Sequence, residues 1–401
     1  KMGKPRLFFG VSAGNMDSMV NHYTAMKRLR SDDAYTPGGR SGYRPDYPTI
    51  VYTHILKELF PDVPVVAGGV EASMRRLAHY DYWNDRVDPS ILISSRADML
   101  VYGMGEQPVR QIARLMKKGV PFSSLVNIEQ TVISVKMGER PPAGDGSWRN
   151  ITIPSYEEVK KDKQKFSEAF VAFEKESNRI NSARIFQETG ERVVVVIPPC
   201  APASTEEIDS VYDLPYTRLP HPRYNRKPPI PAFEMIKNSV NIHRGCFGGC
   251  SFCAISAHQG KQVVSRSEES VMREIEQVAS MPGFNGVLTD LGGPSANMYC
   301  MKGKELSKCL NCVRPSCIWP SICNNLETDH GRLVALYSKA REFPGIKRVY
   351  IGSGVRYDLL LSSFNRKAGR NENNYLTELL RHHVSGRLKL PPNIPPTAYW
   401  R

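Results

Sequence analysis

The sequence contains no apolar run of the roughly 20 residues that a membrane-spanning helix needs. No leader with a positively charged start, an apolar centre and small residues opens it either, so secretion is not indicated. We therefore expect a cytoplasmic protein without a membrane partner. Hydrophobic residues make up 41% and charged residues 23% of the 401 positions, which is ordinary for a globular protein, and this length predicts two domains.

Cysteine is nearly absent outside one region. Eight of the nine cysteines lie between Cys246 and Cys323, and only Cys200 lies elsewhere. A disulfide framework would be expected in a short secreted chain. Cysteines that crowd at ligand spacing in a chain without a leader instead favour metal binding in a reducing compartment.

Long basic tracts are missing as well, although 54 lysines and arginines against 40 acidic residues give a formal net charge of +14. The densest run, at 160–165, is diluted by acids, which is typical of a solvated helical face. Two smaller features point to an anionic substrate: the adjacent Arg75 and Arg76, and the extended basic run from His221 to Lys227. Such a substrate is either a small phosphorylated or carboxylated metabolite or RNA.

Short apolar runs alternate with helical patterns over the first third of the chain, which predicts an α/β fold with a parallel, doubly wound sheet. The predicted strands of this sheet are 6–11, 63–69, 99–103 and 131–135. The domain would span residues 1–137. A segment rich in proline and glycine then opens a linker and helical connector at 138–232, in which 155–187 reads as one long helix.

Residues 233–401 contain about four strand-and-helix repeats, which predicts a partial (β/α) barrel. Its predicted strands are 239–242, 286–291, 347–351 and 387–390. Four strands are too few for a complete barrel, so we expect the barrel to be incomplete in this chain. Ser353, Arg356 and Asp358 follow the third strand, and residues at such strand ends are site candidates in barrels.

The most informative stretch is RGCFGGCSFC at 244–253. Cys246, Cys250 and Cys253 have C-x3-C-x2-C spacing, and three thiolates on one short loop can hold three irons of a four-iron cluster and leave the fourth iron open. A structural zinc site usually takes two C-x2-C pairs, so zinc fits this loop poorly. The glycines of the stretch allow the backbone to wrap tightly.

A second group of cysteines occupies a proline-containing insertion at 296–328. Its members are Cys300, Cys309, Cys312, Cys317 and Cys323. We expect the last four to hold an auxiliary 4Fe–4S cluster or one zinc ion, because both metals take four thiolates. A loop this rich in cysteine would oxidise readily without metal.

The cysteine loop resembles the signature of the radical S-adenosylmethionine superfamily. Together with GVSAGNMDSM at 10–19 and DLGGP at 290–294, it resembles the YgiQ-type branch, which has no settled substrate. The resemblance implies that Cys246, Cys250 and Cys253 hold a 4Fe–4S cluster whose open iron chelates S-adenosylmethionine. It also implies that Phe252 contacts the adenine.

Further cofactor contacts are implied by the same resemblance. Arg266 would lie near the adenosine end, and Gly292 and Gly293 would form a turn whose backbone pairs with the methionine amino group. Pro294 departs from the acidic residue that is usual after such glycines. Arg356 could hold the cofactor carboxylate, and Ser353 is a candidate beside it.

The activity implied is reductive cleavage of S-adenosylmethionine to a 5′-deoxyadenosyl radical, which abstracts hydrogen from the substrate. A flavodoxin or ferredoxin would supply the electron. The first domain resembles a cobalamin-binding domain, but the D-x-H-x-x-G loop that supplies a cobalt ligand does not occur, so cobalamin is not expected. Two other classes stay open: a non-catalytic metal-binding protein that interacts with RNA, and a flavodoxin-like electron carrier, which would leave the cysteines unexplained.

Overall fold

The computed structural model describes residues 3–139, 148–360 and 375–386. The chain forms two compact units: Lys1–Ala201 with Cys309–Arg314, and Pro202–Lys308 with Pro315–Arg401. The boundary predicted at residue 137 is wrong, because the first unit continues through most of the supposed connector. Within the described ranges, every helix is too short or too polar to cross a membrane.

The described part of the first unit is built around a sheet of seven strands, with a separate two-stranded hairpin. In chain order its strands are β1 (Phe9–Ser12), β2 (Val65–Gly68), β3 (His79–Asp81), β4 (Arg86–Asp88), β5 (Met99–Val101), β6 (Thr131–Lys136), β7 (Asn150–Thr152), β8 (Arg184–Thr189) and β9 (Arg192–Val196). β3 and β4 form the hairpin. The central strands are apolar on both faces, and consecutive residues such as Val65, Val66 and Ala67 are all buried.

The strand order of the large sheet is β1-β2-β5-β6-β9-β8-β7. β1, β2 and β5 are parallel neighbours, but β6 runs antiparallel to β5, and β8 and β9 are antiparallel as well. The α/β class is confirmed, with parallel pairing among β1, β2 and β5 and between β7 and β8, but the sheet as a whole is mixed and not parallel as predicted. The order does not reverse within the parallel part, so no topological switch point lies there. A buried apolar strand has the same residue pattern in either direction, which is why the sequence could not reveal this.

Among the described residues, seven α-helices belong to this unit. They are α1 (Ser18–His22), α2 (Pro48–Leu59), α3 (Gly69–Met74), α4 (Ile91–Ser95), α5 (Glu106–Lys117), α6 (Tyr156–Lys161) and α7 (Lys163–Asn178). The long helix predicted at 155–187 is wrong. Asp162 takes an extended conformation between α6 and α7, where its carboxylate caps α7, and the last part of the segment is β8.

The second unit contains shorter elements. Its strands are β10 (Ser239–Asn241), β11 (His243–Arg244), β12 (Val264–Ser265), β13 (Val287–Leu288), β14 (Asp290–Gly292) and β15 (Arg348–Val349). Its helices are α8 (Thr205–Tyr212), α9 (Pro231–Ile236), α10 (Ile255–Gln259), α11 (Glu268–Ala279) and α13 (Gly331–Glu342), with a π-helix at Leu379–His383. α12 (Ser307–Leu310) leads into the segment that is grouped with the first unit.

The described strands of the second unit pair in short pieces. β10 lies parallel to β14 and β13 parallel to β15, while β11 is antiparallel to β12. Helices α11 and α13 follow β12 and the insertion, and their apolar faces join the strands in one core that includes Val240, Ile275 and Leu336. These pieces fit a (β/α) arrangement. The fourth barrel strand, predicted at 387–390, lies outside the described residues.

Candidate cluster and cofactor site

The three cysteines of the first group lie on the loop between β11 and α10, and all three are partly exposed. Gly248 sits between two of them. A Cβ atom at this glycine would lie 3.3 Å from the Cys246 sulfur and 3.6 Å from the Cys250 sulfur. The Gly248 N–H points at the Cys246 sulfur, 3.4 Å away, and the Cys253 N–H donates to the carbonyl of Cys250 at 3.0 Å. The loop therefore gathers at least two sulfurs around one glycine.

Glycine is required at two other positions of this loop. Gly245 and Gly249 have φ values of +81° and +60°, in the left-handed region that favours glycine. A Cβ atom would lie 2.0 Å from the Gln262 carbonyl oxygen in the first case and 2.3 Å from the Pro315 carbonyl oxygen in the second. These contacts confirm that the loop is wrapped tightly.

The thiols interact electrostatically. Burial raises the pKa of Cys246, the neighbouring thiols of Cys250 and Cys253 add to that rise, and the Gly248 N–H and the Ser295 hydroxyl partly offset it. Metal binding would have to remove these protons, so metal affinity at the loop should increase with pH.

No three Cys, His, Asp or Glu side chains among the described residues converge on one metal-ion position. The ligands of a single zinc ion would lie about 4 Å from one another. In a 4Fe–4S cluster each thiolate binds a different iron, so its ligands lie further apart. The cluster ligands remain a prediction.

Arg356 is brought to the cysteine loop, although it lies about a hundred positions away in sequence. Its Nη1 is 3.3 Å from the Cys250 sulfur, and its other guanidinium nitrogens pair with Asp358. The Asn297 side chain holds the Arg356 backbone, with hydrogen bonds of 2.7 and 3.0 Å. Burial alone would lower the pKa of Arg356, but Asp358 and the Cys250 thiol outweigh it and raise that pKa. The guanidinium thus stays charged beside the sulfurs.

The predicted glycine turn follows β14. A Cβ atom at Gly292 would lie 2.6 Å from the Ser353 hydroxyl oxygen, and one at Gly293 would lie 2.5 Å from the His243 ring. The Ser353 hydroxyl donates to Asp290, whose carboxylate also accepts the Gly352 N–H at 2.8 Å. Ser353 therefore fixes the turn, and its hydroxyl is already engaged.

The structure gives Arg266 a different role from the predicted one. Its guanidinium is buried, lies 4.0 Å from the centroid of the Tyr212 ring, and donates to the Asn241 carbonyl and to Ser270. It also pairs with Glu274. A guanidinium committed to these groups joins α11 to β10 and has no donor free for adenosine, so the predicted contact is wrong.

The two phenylalanines of the loop differ in exposure. Phe247 is 2% exposed and packs with Met298 and Ile318. Phe252 is 68% exposed, so its ring face is available to a planar ligand. This arrangement suits the predicted adenine contact.

The auxiliary cysteines fall into two pairs. Cys317 and Cys323 lie in the second unit, where the Cys323 N–H donates to the Cys317 carbonyl at 2.8 Å. Both side chains pack against the group of buried apolar side chains that contains Phe247. Cys309 and Cys312 belong to the segment grouped with the first unit. The pairing of four ligands in one site remains a prediction.

Arg75 and Arg76 are not free to bind a substrate. Arg75 pairs with Asp17 and lies over the Tyr47 ring. Arg76 is buried between the rings of Tyr102 and Phe173, at 4.6 and 4.4 Å from their centroids. The inference of an anion-binding site from this pair is wrong. The partners of both arginines include residues distant in sequence, so the sequence around the pair does not reveal them.

The basic run from His221 to Lys227 remains exposed. Arg223 and Lys227 both lie over the Tyr224 ring, at 4.7 and 5.5 Å from its centroid.

Sequence reasoning missed two other residues beside the cysteine loop and the glycine turn, Asn297 and His243. The position of His243, in the strand that leads into the cysteine loop, could have identified it as a site residue from the sequence.

Comparison with known proteins adds to this geometry. A family model described as Radical SAM N-terminal matches residues 1–239. The chain is 55% identical over 404 residues to a UPF0313 protein of Bacteroides thetaiotaomicron, covering 98% of this chain and 64% of that protein. It is 43% identical over 442 residues to the UPF0313 protein YgiQ of Escherichia coli, covering 98% of this chain and 58% of that protein.

The chain thus spans less than two thirds of the length of these curated relatives. Among solved structures, it is similar to the radical S-adenosylmethionine methyltransferase TsrM from Kitasatospora setae, with cobalamin and a 4Fe–4S cluster bound. That similarity has a TM-score of 0.40 at 14% identity and covers 88% of this chain and 47% of TsrM, which is too weak to carry an argument.

Proposed function

Because this chain belongs to the UPF0313 family, the YgiQ-type branch of the radical S-adenosylmethionine superfamily, we propose that it cleaves S-adenosylmethionine reductively at a 4Fe–4S cluster. The proposed substrate is an anion from which hydrogen is abstracted. The observation that carries the proposal is the convergence of Cys246, Cys250 and Arg356 on Gly248. A Cβ atom at that glycine would lie within 3.6 Å of both sulfurs and of the Arg356 Nη1.

The residues fit such a cluster and its cofactor. Cys246, Cys250 and Cys253 would hold three irons, and the cationic Arg356 beside the sulfurs would hold a carboxylate and offset the negative charge of the thiolates. The exposed Phe252 offers a ring face for the adenine, and the Gly292–Gly293 turn has no side chains of its own, so its backbone can approach a ligand closely.

When bound, the reduced cluster supplies the single electron that breaks the C5′–S bond of S-adenosylmethionine and yields methionine and a 5′-deoxyadenosyl radical. The protein positions the cofactor through Arg356 and the glycine turn. The buried side chains beneath the loop, Phe247 and Met298 among them, keep water from its inner face. An electron donor such as flavodoxin or ferredoxin is part of the proposal.

The test is anaerobic reconstitution of the chain with iron and sulfide. We expect Cys246→Ala, Cys250→Ala and Cys253→Ala each to lose about four irons relative to the wild type. Added S-adenosylmethionine should change the spectrum of the wild-type cluster and produce no such change in the three variants. Cys200→Ala, in the first unit, is the matched control and should keep the iron and the response. Full iron content and an unchanged response in any of the three variants would contradict the proposal.

We also propose that Cys309, Cys312, Cys317 and Cys323 hold an auxiliary 4Fe–4S cluster or a zinc ion. Replacing Cys309 and Cys312 together should lower the metal content by one site and leave binding of S-adenosylmethionine unchanged. Iron and zinc contents equal to those of the wild type would eliminate this site.

A further inference from the structure

His243 is a buried histidine in the strand that leads into the cysteine loop. It lies in β11, three residues before Cys246, and it is 0% exposed. Within the part of the chain that the structure describes, neither ring nitrogen has a hydrogen-bond partner. Burial lowers its pKa to about 3, so the ring is neutral and keeps one N–H donor and one acceptor. A buried polar group without a partner is destabilising and therefore calls for a ligand or another explanation.

Core packing does not explain this ring. Side chains alternate between the two faces of a strand. Val240 and Ile242 are buried in the apolar core, and Asn241 between them is exposed. His243 thus lies on the face of Asn241, opposite the apolar core.

The polar edge of the His243 ring faces the glycine turn. A Cβ atom at Gly293 would lie 2.5 Å from Cε1, 2.7 Å from Nδ1 and 2.9 Å from Nε2 of His243. The hydrogen bond from the Ile242 N–H to the Gly292 carbonyl, 2.8 Å long, fixes this register. Gly293 itself is only partly buried.

The turn lacks an acidic residue, since Pro294 stands directly after Gly293. A ligand amino group placed there would meet an imidazole nitrogen in place of a carboxylate. We propose that His243 is a positioning residue, and that one of its ring nitrogens accepts a hydrogen bond from the amino group of S-adenosylmethionine at the Gly292–Gly293 turn. This inference rests on the proposed function.

The experiment compares two ligands on reconstituted, unreduced protein, so that nothing is turned over. S-adenosylmethionine and an analogue without the amino group are titrated into the wild type and into His243→Phe. We expect His243→Phe to bind S-adenosylmethionine about tenfold more weakly, as for the loss of one hydrogen bond, and the analogue equally well. His243→Asn and His243→Gln place an acceptor near Nδ1 and Nε2 respectively, and one of them should restore the preference for S-adenosylmethionine.

Two controls separate positioning from folding. Iron content and the urea midpoint are measured for each variant. His383→Phe removes another buried histidine of the same unit, whose ring contacts the Val349 carbonyl and Glu378, and should leave both affinities unchanged. If His243→Phe does not fold, the Asn and Gln variants carry the same comparison between the two ligands.

If His243→Phe loses affinity equally for both ligands, or loses affinity for neither, the proposed role of His243 is overturned. The same holds if neither the Asn nor the Gln variant restores the preference for S-adenosylmethionine. A wild-type protein that binds iron but neither ligand overturns the proposed function as well, so the two failures are distinguishable.

Discussion

At the scale of single residues, the spacing between residues predicted the site better than the residue types did. The C-x3-C-x2-C pattern and its glycines placed the cysteine loop, and the structure adds Gly245 and Gly249 as positions without room for a side chain. Arginines were harder to place, because an arginine's role depends on partners distant in sequence. Arg356 reaches Cys250, whereas Arg266 is taken up by Glu274 and Ser270.

Gly249→Ala tests the loop at this scale. A Cβ atom there would lie 2.3 Å from the Pro315 carbonyl oxygen and would need a left-handed backbone, so we expect a loss of about 1–3 kcal/mol in the free energy of unfolding. The loop should also take up less iron. Gly354→Ala is the matched control, since nothing lies within 4 Å of its Cβ position and its φ is not positive. Similar urea midpoints and iron contents in the two variants would contradict the tight wrapping.

At the scale of elements, the sequence predicted which helices and strands exist better than where they end and in which direction the strands run. Most predicted strands formed, and Ser267 caps α11, accepting the Ser270 N–H at 3.0 Å. The direction of β6 and the break at Asp162 were missed. Direction depends on which strands become neighbours, and the apolar pattern of one strand carries no such information.

Arg266→Ala tests how α11 is attached to β10. The substitution leaves the buried Glu274 without one of its two arginine partners, so we expect the second unit to lose about 3 kcal/mol. Arg273→Ala on the same helix breaks an exposed pair with Asp213 and should cost less than about 1 kcal/mol. Urea unfolding of both variants measures the difference. If Arg266→Ala were as stable as Arg273→Ala but bound S-adenosylmethionine more weakly, Arg266 would be a cofactor ligand after all.

At the scale of the whole molecule, composition predicted two units but not their boundary. The residues after 137 complete the first sheet with β7, β8 and β9, and the segment Cys309–Arg314 is grouped with that unit despite its late position. Local composition does not indicate that a late segment is grouped with an early unit.

Buried histidines should make stability depend on pH, and His243 and His330 are two of them. Burial lowers the pKa of His243 to about 3 and of His330 to about 4, below the ordinary value near 6.5. The folded state therefore binds fewer protons than the unfolded state as pH falls below about 6.5, and each histidine costs up to about 1.4 kcal/mol of stability per pH unit. The loss continues until the folded-state pKa is reached. Urea midpoints at pH 7 and pH 5 measure it.

His330→Gln should reduce this pH dependence, because Gln does not bind a proton in this range. His382→Gln is the control, since the His382 side chain is 40% exposed. A wild-type midpoint that is unchanged between the two pH values would contradict the assignment of both buried rings as neutral.

The proposal of an anionic substrate now rests on the exposed run from His221 to Lys227 and on the dispersed net charge. We expect a small anion, so total cellular RNA should show no saturable binding even at 50 mM salt. RNA held through six or more phosphates would instead bind at 50 mM and lose about 10³ in affinity by 200 mM. If it did, Arg223→Ala with Lys227→Ala should weaken binding, whereas Lys165→Ala should not. That result would favour RNA as the substrate.

The central claim is tested most directly by product analysis after reduction. The anaerobically reconstituted wild-type chain is reduced in the presence of S-adenosylmethionine, and 5′-deoxyadenosine and methionine are quantified together. We predict that both form in equal amounts in the wild type and in Cys200→Ala, and that neither forms in Cys250→Ala. A wild-type chain that holds a reduced cluster of about four irons, binds S-adenosylmethionine and yet forms neither product would contradict the account.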